Sequence, residues 1–152
     1  MFKISRLSDY SVILLSLMAK MPNKIHTTVE LAQRSSLPQP VVGKILKLLT
    51  KGKIIASKRG INGGYLLSRA THTISIAEVI AAIDGPVNIT SCIDGVENPC
   101  HAKSLCPLSG RWQILNNVIE AAVYSVSLAD IIEPEEQAYF PPFPNHESHI
   151  HE

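Results

Sequence analysis

The sequence predicts a mainly α-helical fold with one small β-hairpin. Hydrophobic residues make up 45% of the 152 residues, while aromatic residues make up only 5%. Apolar residues recur with helical spacing over most of the chain. Two short β-like stretches lie near its middle, separated by a glycine-rich segment. This length suits one main domain with an appendage.

Three helices are predicted in the first third of the chain. Residues 8–20 form the first, with Ser8 as N-cap and Asp9 in the first turn, where a carboxylate complements the helix dipole. Residues 27–35 form a short second helix with a threonine cap. The third helix spans about residues 40–51, because a proline suits its first turn and a glycine follows its end.

The β-like stretches follow directly, at residues 53–58 and 64–69, with glycines marking the tip of a hairpin. This order of elements predicts a winged helix-turn-helix within residues 1–85. Its helix-turn-helix covers about residues 28–51 and its wing about residues 53–69.

The second half begins with a predicted helix at 75–85, in which Ser75 and Glu78 form a capping box. From residue 110 the sequence RWQILNNVIEAAVYSVSLADII predicts one continuous helix of about 20 residues. Its predicted apolar stripe consists of Trp112, Leu115, Val118 or Ile119, Ala122 and Val126. Residues 133–152 are rich in Pro, acid and His and are predicted to be disordered.

Charge is distributed very unevenly along the chain. Residues 1–72 contain twelve basic and two acidic residues, a net charge of +10, whereas residues 73–152 contain two basic and eleven acidic residues, a net charge of −9. The basic half indicates a polyanionic partner such as double-stranded DNA. A solvated basic surface is the alternative.

If the partner is DNA, the third helix can enter the major groove and the wing can follow the backbone or the minor groove. The amide of Gln39 can pair with adenine in bidentate fashion, and Lys44 can reach guanine or phosphate. Gln39 could equally be a simple turn residue. The predicted DNA contacts are Thr28, Gln39, Val41, Lys44, Lys47, Lys58, Arg59, Asn62 and Gly63.

The longest apolar run, residues 11–19, is shorter than the roughly 20 residues that span a bilayer. Asp9 argues against a secretory signal. We therefore expect a cytoplasmic protein that does not associate with membranes, and in the cytoplasm thiols stay reduced.

All three cysteines, Cys92, Cys100 and Cys106, lie within fifteen residues. Their spacing is unlike the paired knuckles of structural zinc sites. Soft thiolates on an irregular loop favour an iron–sulfur cluster, which normally takes four protein ligands. Zinc and a redox-active thiol remain alternatives.

Several motifs together resemble the Rrf-type family of bacterial iron–sulfur regulators. They are LSDYSVILL, TTVELAQRSSLPQPVVGKILKLL, KRGINGGYLLSR, ISIAEVIAAIDGP and the three cysteines followed by a tryptophan. The resemblance covers about residues 1–132 and is greatest to the branch that regulates the SUF cluster-assembly operon.

The resemblance implies a homodimeric DNA-binding regulator with a cluster-binding loop at 86–108 and a dimerisation helix at 109–132. It implies Cys92, Cys100 and Cys106 as cluster ligands, with [2Fe-2S] favoured over [4Fe-4S]. The IscR-like branch has a histidine where this chain has Ser109. The NsrR-like branch uses an aspartate of the partner subunit, and the matching residue here is Asp9. His101 and Asp94 are weaker candidates for the fourth ligand.

The expected function is therefore an iron–sulfur-dependent transcriptional regulator, a repressor of cluster-assembly genes that binds a pseudo-palindromic operator. A regulator that senses nitric oxide or redox state, or holds zinc, is the alternative. A cluster carrier is a third possibility, but it would leave the basic half unexplained. No paired-carboxylate, Ser/His/Asp or phosphate-loop arrangement supports an enzyme.

Overall fold

The computed structural model describes residues 3–89, Pro107 and residues 111–133. These residues form a mainly helical protein with one two-stranded antiparallel sheet, which confirms the predicted fold class. The elements in chain order are α1 (Arg6–Ala19), α2 (Thr28–Ser35), α3 (Gln39–Lys51), β1 (Ile55–Lys58), β2 (Gly64–Leu67), a 3₁₀ turn (Thr71–Thr73), α4 (Ile76–Asp84), α5 (Trp112–Tyr124) and α6 (Leu128–Ile132).

Helix α1 begins earlier than predicted. Its N-cap is Ser5, whose hydroxyl accepts a hydrogen bond from the Ser8 N–H at 3.0 Å. The prediction that Ser8 caps the helix is therefore wrong, because Ser5 is the cap and Ser8 lies inside the helix as the residue whose N–H is capped. Asp9 still lies in that first turn, as predicted.

The core lies between α1, α3 and α4 and is completed by residues from the other elements. Each of these helices turns an apolar stripe inward, as their spacing predicts. The fully buried large apolar side chains are Leu14, Leu15, Met18, Leu31, Ile45, Leu46, Leu49, Ile54, Ile55, Ile74 and Leu128.

The hairpin pairs Ile55 with Leu67 at its base and Lys58 with Gly64 near its tip. Its second strand, β2, is also joined to the chain just before α2. The backbone N–H and C=O of His26 and Tyr65 exchange two hydrogen bonds of 2.8 Å. The wing is therefore held against the helix-turn-helix by main-chain bonds rather than by side chains alone.

Helix α4 begins at the predicted capping box of Ser75 and Glu78, which is confirmed. The prediction of a single long helix after residue 110 is wrong. Helix α5 ends at Tyr124, and a separate helix, α6, begins at Leu128. Ser127 caps α6 through its own capping box, and its backbone pairs with Ser75. This pairing with a distant segment competes with continuation of the helix.

The predicted apolar stripe of this region is divided between two environments. Ile119 and Val126 pack against the core, together with Val123, which the predicted stripe did not include. Trp112 and Val118 are exposed, with 42% and 62% of their surfaces accessible, so this part of the stripe does not cover the core of its own chain. The predicted boundaries at 1–85, 86–108, 109–132 and 133–152 stay predictions. Most of the cysteine loop and nearly all of the tail lie outside the described residues.

Within residues 3–89 and 111–133, no helix combines the length and the hydropathy needed to cross a bilayer.

Candidate nucleic-acid interface

Helix α3 has one apolar face and one basic face. Val42, Ile45, Leu46 and Leu49 are buried. The lysines of the helix, Lys44, Lys47 and Lys51, are all exposed to solvent. Three- and four-residue spacing places them along one side of the helix. The packing that fixes α3 in the core therefore also fixes the direction in which the lysines point.

The N-terminal end of α3 is open to solvent. The preceding turn begins at Ser36, which has a left-handed φ of 57°, and ends at Pro38, the N-cap. The helix starts at Gln39, one residue before the predicted start, and Pro40 is its second residue. No side chain caps this end. The Val41 and Val42 N–H groups donate to the Pro38 carbonyl and Pro40 has no N–H, so it is the exposed Gln39 side-chain amide that can face a ligand at this end.

The wing tip is a tight turn closed by a hydrogen bond of 2.9 Å from the Gly63 N–H to the Gly60 carbonyl. A Cβ at Gly63 would collide with the carbonyl oxygen of Lys58, so the turn requires glycine there. Lys58, Arg59 and Asn62 are exposed around this turn. The tip thus presents two cations and an amide on a short, closely packed backbone.

Glu30 of α2, the helix that precedes α3, is already paired with cations. Glu30 Oε1 accepts hydrogen bonds from Lys24 at 2.8 Å and from Arg34 at 3.4 Å, and lies 3.3 Å from Nδ1 of the buried His26. The hydrogen bond from Lys24 is the main cause that holds the pKa of Glu30 below its ordinary value, and burial opposes it. Among the described residues, no carboxylate forms an ion pair with a basic residue of α3 or the wing tip. The surface keeps its positive charge.

Most of the residues predicted to contact DNA are accessible on this surface. Gln39, Lys44, Lys47, Lys58, Arg59 and Asn62 are exposed. Thr28, Val41 and Gly63 are half-buried. Thr28 is the first residue of α2, after its cap Thr27, and Val41 packs partly against the core.

The prediction left out two accessible positions, Lys51 and Ile61. Lys51 extends the row of lysines at the end of α3, as its spacing from Lys47 indicates. Ile61 lies fully exposed at the wing tip. An exposed isoleucine carries no sequence signal that separates a contact residue from a tolerated surface residue.

Three of the four predicted cluster ligands, Cys92, Cys100 and Cys106, lie outside the described residues. The fourth, Asp9, is exposed on the first turn of α1. Within the described part of the chain, no group of three or more His, Cys, Asp or Glu side chains could hold a metal ion. Three thiolates and one accessible carboxylate fit an iron–sulfur cluster, since its protein ligands need not all be cysteines.

Comparison with known families matches residues 4–134 to Rrf2, which is described as an iron-dependent transcriptional regulator. The match covers most of the chain. The chain belongs to the Rrf2 family. Its relatives are transcriptional regulators and not enzymes, in agreement with the sequence-based expectation.

Two named relatives illustrate the similarity of this Rrf2 protein to others. It is 31% identical over 107 residues to the transcriptional regulator IscR of Xenorhabdus nematophila, an alignment that covers 70% of this chain and 64% of that protein. It is 30% identical over 134 residues to the transcriptional regulator NsrR of Bacillus licheniformis, covering 86% of this chain and 92% of that one. This chain therefore spans less than two-thirds of the IscR relative.

Solved structures show the same fold. CymR (YrzC), the global cysteine regulator of B. subtilis, superposes with a TM-score of 0.61 at 23% identity, covering 87% of this chain and 97% of that chain. IscR of T. potens superposes with a TM-score of 0.59 at 23% identity, covering 86% of each chain.

Proposed function

We propose that this Rrf2 protein is an iron–sulfur-cluster-dependent repressor of cluster-assembly (SUF-type) genes, which acts in the cytoplasm as a homodimer on a pseudo-palindromic operator. The observation that carries the DNA-binding part is the basic surface of α3 and the wing. Its exposed cations lack carboxylate partners among the described residues, while Glu30 of the preceding helix is bound to other cations. Solubility alone does not require that basic side chains be separated from carboxylates in this way.

The proposed binding mode follows from the accessibility of each side chain. Helix α3 enters the major groove with Gln39 toward the base edges, while Lys44 and Lys47 contact phosphates on either side. Arg59 and Asn62 reach the adjacent backbone or minor groove from the wing. Phosphate contacts provide most of the affinity, and Gln39 provides sequence preference.

The proposed dimer is supported by the exposed apolar surface of α5. Trp112, Ile114, Leu115 and Val118 are all at least 42% exposed in the single chain. Four large apolar side chains on one short helix form a patch of the kind that marks an interface. Pairing α5 with its copy would cover this patch and place two recognition helices on one DNA duplex.

The proposed cluster ligands are Cys92, Cys100 and Cys106 with Asp9 of the partner subunit, and [2Fe-2S] is the favoured cluster. The cluster would supply an iron site that is sensitive to oxidants and to iron supply. A carboxylate is a harder ligand than a thiolate and holds such iron less firmly. Because Asp9 lies on α1 and the cysteines precede α5, loss of this ligation would alter how the two subunits meet. A coupling of about 1–3 kcal/mol would change DNA affinity about 5–150-fold.

Anaerobic purification with iron and sulfide counts and an absorption spectrum tests the cluster directly. A brown protein with matched iron and sulfide is expected. A colourless protein loaded with zinc would contradict the proposal and favour the zinc alternative. An Asp9→Ala variant tests the fourth ligand, because a cluster that forms and persists unchanged in it would exclude Asp9.

Binding to duplexes from SUF-type promoters, with and without the cluster, tests the regulatory part. Salt-sensitive binding that changes with cluster occupancy is expected. A cluster-containing protein that does not bind duplex DNA would instead indicate a carrier. If binding responds only to nitric oxide or thiol oxidation, the alternative sensor function is correct.

A further inference from the structure

Asn116 is a buried polar residue on a helix that otherwise exposes much of its surface. Only 2% of its surface is accessible, whereas its neighbours Leu115 and Asn117 are exposed. Burying an amide is unfavourable unless its polar atoms are hydrogen-bonded. The side chain therefore needs a specific partner at this position.

That partner is the backbone at the entrance to the cysteine segment. Asn116 Oδ1 accepts a hydrogen bond from the N–H of Ile89 at 3.1 Å. Ile89 is half-buried and lies three residues before Cys92. One amide thus joins the start of the segment that carries the proposed cluster ligands to the middle of α5.

The other end of this helical region is joined to the DNA-binding part. The N–H of Ile76 donates to the Val126 carbonyl at 2.9 Å, and the N–H of Leu128 donates to the Ile74 carbonyl at 2.7 Å. These bonds connect the break after α5 to the start of α4, which packs against α1 and α3. A shift of α5 would therefore reach the recognition helix through packed elements.

Resting on the proposed function, we infer that Asn116 is a positioning residue that transmits the state of the cysteine segment to α5 and so to the DNA-binding surface. When the cofactor holds the segment, this bond keeps the backbone at Ile89 in a fixed position relative to α5. When the segment is released, the same bond passes the displacement of Ile89 to α5. Without the bond, the cysteine segment and the DNA-binding surface would respond independently.

The test compares Asn116→Leu, which keeps the side-chain size but removes the acceptor, with the wild type. Asn117→Leu is the matched control, because it introduces the same side chain at the adjacent exposed position. Each protein is assayed for iron and sulfide content and for Kd on the same duplex with and without cluster. The measured quantity is the ratio of the two Kd values.

We expect the wild type and Asn117→Leu to share the same ratio, and Asn116→Leu to reduce it at least fivefold with unchanged iron and sulfide content. An unchanged ratio in Asn116→Leu would overturn the inference. If the Kd of the wild type is the same with and without the cluster, the proposed function itself is wrong. The two failures are therefore distinguishable.

Asn116→Ala serves the same comparison if the leucine variant does not fold. Hydrogen exchange gives a second readout. The Ile89 amide should be protected in the wild type and should exchange at least tenfold faster in Asn116→Ala. An Ile89 amide that exchanges freely in the wild type would also overturn the inference.

Discussion

Ser8 and Asp84 join the first turn of α1 to the last residue of α4. The Ser8 hydroxyl donates a hydrogen bond to Asp84 Oδ2 at 2.7 Å. Ser8 is 1% exposed, while Asp84 lies at the surface. Because Asp9 follows Ser8, this bond fixes the turn that carries the proposed fourth ligand relative to the chain that leads into the cysteine segment.

Replacement of Ser8 by Ala is expected to lower the free energy of unfolding by about 1–2 kcal/mol, since the bond is made to a charged acceptor that water can still reach. Chemical denaturation measures this change. Ser16→Ala is the control, because Ser16 lies on the same helix and donates to the Ile13 carbonyl at an exposed position. Equal effects of the two substitutions would show that the bond to Asp84 stabilises the fold no more than an exposed hydrogen bond within the helix does.

A double substitution of Lys44 and Lys47 by Gln is expected to weaken binding to every duplex. Each lost phosphate contact should reduce the slope of log K against log salt by about 0.9. Fluorescence anisotropy over a salt series measures this slope. Lys20→Gln, at the exposed end of α1, should leave it unchanged.

Gln39→Ala provides the contrast, because an amide that reads a base changes sequence preference and not the salt slope. The assignment of α3 as the DNA-contacting helix fails if the double lysine variant keeps the wild-type slope.

Much of this surface could be predicted because its determinants are local. The periodicity of α3 predicts both the buried Ile45 and the exposed Lys47, and the glycines predict the wing tip. The capping box at Ser75 is equally local. Once the apolar faces of these elements are buried in the core, their polar faces must point to solvent.

The errors arise where local signals compete or distant segments meet. Ser5 and Ser8 are both suitable caps, and only the contact with Asp84 shows that Ser8 is a buried donor. The break before Ser127 depends on pairing with Ser75, which lies far away in the sequence. The periodicity of the sequence cannot predict that contact.

Gly64 permits the wing to approach the chain before α2. A Cβ there would lie 2.5 Å from the His26 carbonyl oxygen and 2.8 Å from Ile25 Cγ2. Gly64→Ala should therefore displace the wing, disturb the paired hydrogen bonds between His26 and Tyr65, and lower the free energy of unfolding by about 1–3 kcal/mol.

Gly43→Ala is the matched substitution in a different environment. Its Cβ would lie 3.9 Å from the nearest atom, Thr28 Cγ2, in the interior of α3. Alanine favours helices over glycine by up to about 1 kcal/mol, so this variant should be as stable as the wild type or more stable. Thermal unfolding compares the two. The account of the wing is wrong if Gly64→Ala is as stable as Gly43→Ala.

The cations around Glu30 should make stability depend on acid pH. The hydrogen bond from Lys24 is the main cause that lowers the pKa of Glu30 from its ordinary value of 4.5 in the folded state. A depressed folded pKa contributes stability that is present above the unfolded pKa and is lost as pH falls through the folded pKa. Stability should therefore fall below about pH 4.5 more steeply in the wild type than in Glu30→Gln.

Denaturation curves between pH 3 and 7 measure this difference. Glu120→Gln is a suitable control, because Glu120 lies on α5 and forms no ion pair with the described residues. Parallel pH profiles for the wild type and Glu30→Gln would show that the interactions of Glu30 with its basic neighbours do not make stability depend on pH.

Val118 tests the proposed dimer without disturbing the core. Its side chain is 62% exposed in the single chain, so an aspartate there stays hydrated in the monomer. In a dimer formed through α5, the same carboxylate would be buried without a partner, at a cost of several kcal/mol. Since 1.4 kcal/mol corresponds to a tenfold change, Val118→Asp should raise the dimer Kd at least 100-fold.

Sedimentation velocity over a concentration series measures this dissociation. Asn117→Asp adds the same charge at the adjacent exposed position and should leave the dimer largely intact. The Val118 variant should also bind a duplex with both half-sites only about as tightly as a duplex with one, because two linked recognition helices owe their affinity to simultaneous engagement. If Val118→Asp sediments like Asn117→Asp, the exposed patch of α5 is not the dimer interface.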